Sequence, residues 1–237
     1  MAVPMPMPTP ARHLQPHADV AERVLAPGDP GRALRMAQWL LERPRMLNHH
    51  RGLWGYTGTA ADGEPLTVQS TGLGGPSAAI VVEELVELGA RRIVRVGTCV
   101  ALGGGADLGD VLVVREAIGE DGTSRALGAP ERQSPDATLT EALVTAAGPQ
   151  ACPVIVVSTD LFYERDPGVA DRRRAAGAAA VDLETAALFA AAGRSGVPAG
   201  CVLVVTDLVD GSAERIGSDA LAAAEEAIGR VGAAALS

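Results

Sequence analysis

The sequence predicts a single α/β domain with helices flanking a mixed β-sheet. Strand-length apolar runs alternate with segments of helical periodicity along most of the chain, a hairpin signal interrupts that alternation near Asp62, and glycine-rich turns follow directly on strand-like runs. A length of 237 residues, 47% apolar and 21% charged, suits one well-buried core.

Residues 1–10 alternate proline with small and apolar residues, and 1–12 read as a disordered tail ahead of a domain at 13–237. A first strand is expected at 23–26, then a helix over 31–41 entered through a Pro-Gly-Asp-Pro-Gly turn. Between 53 and 70 two extended stretches flank Ala61-Asp62-Gly63, and an Asp-Gly pair favours a hairpin, so the sheet is mixed rather than parallel. The strand at 66–70 leads through Gly72-Leu73-Gly74-Gly75-Pro76-Ser77 into a helix over 76–88. Strands follow at 92–96 and 111–114. The polar, Gly- and Pro-containing stretch 120–135 reads as a surface loop, either inert or bordering a pocket. A strand at 154–157, a helix over 184–194, a strand at 201–205 and a helix over 219–231, with Ser218 as its N-cap, complete the series.

Composition and missing motifs exclude several functions. A formal net charge of −9 disfavours nucleic acid and anionic membranes as partners, because both require a basic surface. No apolar run approaches the ~20 residues of a membrane span, and the start lacks the pattern of a secretory signal. A soluble, cytoplasmic protein is expected, with Cys99, Cys152 and Cys201 as free thiols. His13, His17, His49 and His50 have no metal-ligand spacing, and neither a P-loop nor a Gly-x-Ser-x-Gly elbow occurs. The glycine-rich turn at Gly72 has Ser77 where a dinucleotide fingerprint needs its third glycine, so it reads as a tight strand-to-helix turn.

Two distant segments pair an arginine with a glycine turn: Ala26-Pro27-Gly28-Asp29-Pro30-Gly31-Arg32 and Arg95-Val96-Gly97-Thr98. Glycine lets backbone amides approach an anion, and a guanidinium matches the oxygens of phosphate. Both segments follow or end strands, where ligands bind in open α/β sheets. All 20 basic residues are arginine, so an isolated arginine carries little weight.

Taken in order, Val24-Leu25-Ala26-Pro27-Gly28-Asp29-Pro30, the segment from His50 to Gly58, the segment from Ser70 to Ser77, Arg95-Val96-Gly97-Thr98, Asp160-Leu161-Phe162-Tyr163 and Glu184-Thr185-Ala186-Ala187 resemble the purine nucleoside and uridine phosphorylases. The resemblance implies a mixed, partly barrel-like sheet, reversible phosphorolysis of a nucleoside, inorganic phosphate as co-substrate, and no metal or organic cofactor. It also implies a homo-oligomer, at least a dimer with shared active sites and in the usual form a hexamer.

By that pattern Gly28, Arg32, Arg95 and Thr98 would bind phosphate, joined by Arg51 from a neighbouring subunit, while His13 would reach the ribose across the same interface. Glu184 would accept from ribose hydroxyls above Leu183, which stands in place of a methionine. Local sequence alone allows Glu184 to be a first-turn helix acid instead. Cys99, Val100, Phe162, Tyr163 and Asp182 would surround the base, with Val100 replacing a glycine and Asp182 a glutamate. Asp207 would give a proton to a purine, with Arg215 as its partner; local sequence also allows a turn-capping role before Asp210-Gly211. The stretch Glu164-Arg165-Asp166-Pro167 lacks the glutamine with which the pyrimidine branch reads uracil. Purine nucleosides are therefore the expected substrates, with a uridine phosphorylase, a nucleoside hydrolase or a nucleoside-binding protein as alternatives.

Overall fold

The computed structural model describes residues 11–103, 106–209 and 215–237. The predicted tail through Pro10 and the Asp210-Gly211 turn lie outside the described residues. At the end of the predicted tail, Arg12 N donates to Glu84 Oε1 at 3.0 Å.

The chain runs β1 (Arg23–Ala26), α1 (Pro30–Leu40), β2 (Glu42–Asn48), β3 (Gly55–Thr59), β4 (Pro65–Gln69), α2 (Gly75–Glu87), β5 (Arg92–Ala101), β6 (Val111–Gly119), α3 (Gly122–Ala126), β7 (Arg132–Gln133), α4 (Ala137–Ala147), β8 (Cys152–Ser158), α5 (Val169–Ala175), β9 (Ala178–Asp182), α6 (Thr185–Arg194), β10 (Ala199–Leu208) and α7 (Ser218–Ala235). Its strands form one sheet that closes partly on itself. β5 pairs in parallel with β10, β10 antiparallel with β6, β6 and β8 in parallel with β8 and β9, and β9 antiparallel with β5 again. From this ring the sheet continues through β1 and β4 to the antiparallel β3 and β2. The mixed, partly barrel-like sheet is thus observed, and the Asp62-Gly63 turn joins β3 to β4 as an antiparallel hairpin.

Strands buried on both faces read as continuous apolar runs because helices cover both sides. Ile93 belongs with α2 and α6 in one core, around Val81, Leu85 and Leu188. Its neighbour Val94 points the other way, into a core with Met36 of α1, Leu143 of α4 and Ile228 of α7. The alternation follows from the two-residue period of a strand. Among the described residues, no helix is long and apolar enough to cross a membrane.

Two readings of the sequence need correction. Residues 120–135 are not simply a surface loop: they form α3 and β7, and Asp121, Ser124 and Gln133 are buried. Asp121 caps α3 by accepting from Ser124 N at 2.6 Å, so residues with turn-like composition satisfy a buried helix end locally. Ser218 is the first residue of α7 rather than its cap, a position held by Gly217 with no side-chain bond.

Candidate active site

A cavity of about 830 Å³ opens at the carboxyl ends of the strands. Residues following β1 and β4, the outer half of β5 and the ends of β8, β9 and β10 all contribute to its wall. The ring of strands makes this possible by bringing ends distant in sequence around one opening.

At one end of the cavity, α1 begins. Asp29 caps it by accepting from Arg32 N at 2.6 Å, which leaves Gly28 and the positive end of the helix on the cavity wall. Arg32 is buried, with Nε donating to Glu225 Oε1 of α7 at 2.8 Å.

Arg95 reaches the same end from β5. Its Nε donates to Asp182 Oδ2 at 3.1 Å and to Thr185 Oγ1 at 3.2 Å, while Nη2 donates to Glu184 Oε2 at 2.6 Å. The guanidinium folds over Gly97 on the same strand face, where a Cβ would lie 2.8 Å from its Cζ. Among the described residues Nη1 is buried without a partner, and a Cβ on Gly28 would lie 4.0 Å from it. A buried donor left unmet costs about 1–3 kcal/mol, so this end of the cavity is built for an added acceptor. Burial works to lower the Arg95 pKa, but the carboxylates of Glu184 and Asp182 outweigh it and hold the guanidinium firmly charged. Thr98, three residues along β5, also lines the wall.

Glu184 stands at the start of α6 without capping it. One oxygen takes Arg95, and the other accepts from Gly74 N at 2.7 Å. That second bond explains the glycine turn: Gly72 and Gly74 hold φ of +77° and +85°, bringing backbone to the carboxylate. Burial raises the Glu184 pKa above the ordinary carboxylate range, opposed by the Arg95 charge. Leu183 lines the cavity next to it.

Asp182, expected at the base, lines the cavity and is also engaged inside the protein. Its side chain is fully buried, with Oδ1 accepting from Ser158 Oγ at 2.6 Å and Oδ2 accepting from Thr185 and Arg95. Both oxygens are spent inside the protein, so Asp182 anchors Arg95 and the turn into α6. Sequence reasoning missed Ser158 and Thr185, because neither hydroxyl stands out until the fold places both on one carboxylate.

The other end of the cavity carries Asp207 and Arg215. Arg215 Nε lies 2.6 Å from Asp207 Oδ1, and a backbone bridge joins the same two residues. The β5–β10 register shifts between Val205 and Asp207, an irregularity that re-aims the strand end. Val100 pairs with Val181 of β9 and, directly after that irregularity, with Asp207 of β10, and it lines the cavity. Cys99 is buried, with Sγ 3.6 Å from Val204 O; burial raises its pKa, and the same cause pushes Cys201 up to about 12. These thiols are therefore neutral and unsuited to nucleophilic attack. Phe162 and Tyr163 are exposed on the cavity rim rather than in the core, with rings edge to face at 5.0 Å.

Arg51 and His13 do not line this chain's own cavity. Arg51 is exposed on a turn with φ +58°, a left-handed conformation that strains a non-glycine residue. His13 Nδ1 lies 2.7 Å from Glu84 Oε1, and Glu84 also takes the backbone N–H groups of Arg12, His13 and Leu14. Glu84 and Glu225 were both missed from the sequence, although each leaves a signal: a charged residue at a buried position of an amphipathic helix.

The Phosphorylase superfamily profile matches residues 22–237, from before β1 to beyond α7. This chain belongs to the Phosphorylase superfamily. Every cavity-lining residue named above falls within the matched span. Relatives of this superfamily member include the guanosine phosphorylase of Halorubrum lacusprofundi, 37% identical over 86% of this chain and 88% of that protein. The DeoD-type purine nucleoside phosphorylase of Caldanaerobacter subterraneus subsp. tengcongensis is 35% identical over 82% of this chain and 87% of its own. The uridine phosphorylase of Thermococcus kodakarensis is 36% identical over 79% and 73%.

Proposed function

We propose that this enzyme catalyses the reversible phosphorolysis of purine nucleosides, releasing the free base and ribose 1-phosphate. The observation that carries the reading is the buried, unpartnered Arg95 Nη1 beside Gly28, at the end of the cavity where Arg32 and the start of α1 also lie. Superfamily membership, and relatives named as purine nucleoside and guanosine phosphorylases, support the same reaction.

In this reading Gly28, Arg32, Arg95 and Thr98 hold inorganic phosphate. A phosphate oxygen forms the new bond to ribose C1′ as the N-glycosidic bond breaks, its electron pair passing to the purine. Glu184 accepts from the ribose hydroxyls, with Leu183 packing beneath the sugar. Cys99, Val100, Phe162 and Tyr163 surround the base. Asp207 supplies a proton to the departing purine, and Arg215 orients that carboxyl group; general acid help of this kind is worth roughly 10² to 10⁴ in rate. The reading requires no metal or organic cofactor and places the enzyme in the cytoplasm.

The active site is shared between subunits. Arg51 completes the phosphate site and His13 the ribose site of a neighbour, in a dimer that assembles further into a hexamer. The exposure of Arg51 and its absence from its own chain's cavity support this arrangement.

The test is base release from inosine, guanosine, adenosine and uridine, each with and without phosphate. Phosphate-dependent release from purine nucleosides alone is expected. Uridine turnover would assign the pyrimidine branch, and release without phosphate would make the enzyme a hydrolase.

A further inference from the structure

We propose that Glu225 is a positioning residue for phosphate, acting through Arg32; the inference rests on the phosphate site proposed above. Glu225 lies on α7, and its side chain is 2% exposed. Its two oxygens are divided between two arginines of α1. Oε1 accepts from Arg32 Nε at 2.8 Å, while Oε2 accepts from Arg35 Nε at 3.1 Å and from Arg35 Nη2.

The division matters because a carboxylate facing one arginine tends to take it bidentately, using two of its nitrogens. Here Arg35, half exposed to solvent, occupies Oε2. Among the described residues Arg32 is therefore held by Nε alone, which sets the plane of its guanidinium and leaves both terminal nitrogens for an anion in the cavity. The three charges sum to one positive charge next to the amino end of α1, which suits an incoming anion.

The platform beneath Glu225 is closely packed. One turn further along α7, a Cβ on Gly229 would meet Met36 Cγ and Leu40 Cδ1 of α1 at 3.4 Å. A Cβ on Gly232 would lie 2.8 Å from Leu25 Cδ2 of β1 and 2.9 Å from Val96 Cγ1 of β5. α7 is thus seated against α1 and the strands that carry the phosphate loop and Arg95. A buried ion pair is a poor device for joining two helices, since well-packed apolar residues commonly do so as well or better. Orientation of a ligand-binding guanidinium accounts for its presence.

The test compares the full-length enzyme with Glu225→Gln, Arg32→Ala and the double variant. It measures KM for inorganic phosphate, KM for inosine, kcat and thermal melting without phosphate. Glu225→Gln is expected to raise the phosphate KM roughly 10-fold, with inosine KM and kcat within about twofold. On the Arg32→Ala background the same change should add less than about twofold, because the group it acts through is gone. An equal rise in both KM values, or the same added factor without Arg32, would overturn the proposal. An unchanged phosphate KM in Arg32→Ala would overturn the phosphate-site reading itself and this inference with it. If melting shows that Glu225→Gln does not fold, Glu225→Asp, which keeps the charge but shortens its reach, carries the same comparison.

Discussion

Arg95 is held by Asp182, Thr185 and Glu184, and its remaining terminal nitrogen is unmet. Replacing it removes a donor of the proposed phosphate site and also strands two buried carboxylates. Arg95→Met should raise the phosphate KM at least 10-fold and destabilise the protein by about 3–5 kcal/mol, read from kinetics and urea unfolding. Asp207 makes no such internal bonds to Arg95, so Asp207→Asn should lower kcat for inosine by roughly 10² or more, with the phosphate KM little changed. An unaltered kcat would remove Asp207 from the chemistry. Glu184 links both effects to pH. Because burial raises its pKa, the ionised form, which in the proposed reading accepts ribose hydroxyls, is lost at a higher pH than for an ordinary glutamate. The acid limb of kcat/KM for the nucleoside should be displaced upward and should disappear in Glu184→Gln. The stability sign runs the opposite way: the native state holds this proton more tightly than the unfolded chain. Its contribution is complete below the unfolded value of ~4.3 and fades as pH rises through the raised native value.

β5 shows how an element is fitted to its functional side chain. Arg95 and Gly97 share one face, and the absent side chain at Gly97 leaves room for the guanidinium to lie along the strand. Gly97→Ala would also press on Leu203 Cδ2, at 2.9 Å. It should cost about 1–3 kcal/mol of stability and raise the phosphate KM, measured by thermal melting and by kinetics; a variant with wild-type phosphate KM would contradict the packing account. Elements of this kind were legible in the sequence because β5, β10, α1 and α2 carry strong periodicity and glycine punctuation. β2 was not, since five of its seven residues are exposed and its pattern is polar. α5 and β9 were hidden by arginine and alanine runs with little contrast between faces. Among cavity residues, Gly28, Arg32, Arg95 and Thr98 were legible through arginine beside glycine turns. The internal bonds of Asp182 were not legible, because its partners come from β5, β8 and α6 and the sequence does not show which oxygen meets which donor.

At the scale of the whole molecule, the proposed sharing of the site between subunits predicts complementation. Arg51→Ala and Arg95→Ala homo-oligomers should each be strongly impaired at low phosphate. Dissociating and reassembling a mixture should restore activity, because hybrid dimers regain one site with both arginines intact. Absence of recovery, with hybrids verified by native mass spectrometry, would place Arg51 outside the site. The ring of strands has a further consequence for how the chain is made. β10 closes the ring between β5 and β6, yet it follows nearly every other element in sequence. While the chain emerges from the ribosome, Gly28, Arg32, Arg95 and Glu184 are all outside before residue 199 appears, but β5 and β6 still present open edges. Such edges invite pairing with other chains. A polypeptide interrupted there has most of the residues that line the cavity wall and two sheet edges that only β10 can pair.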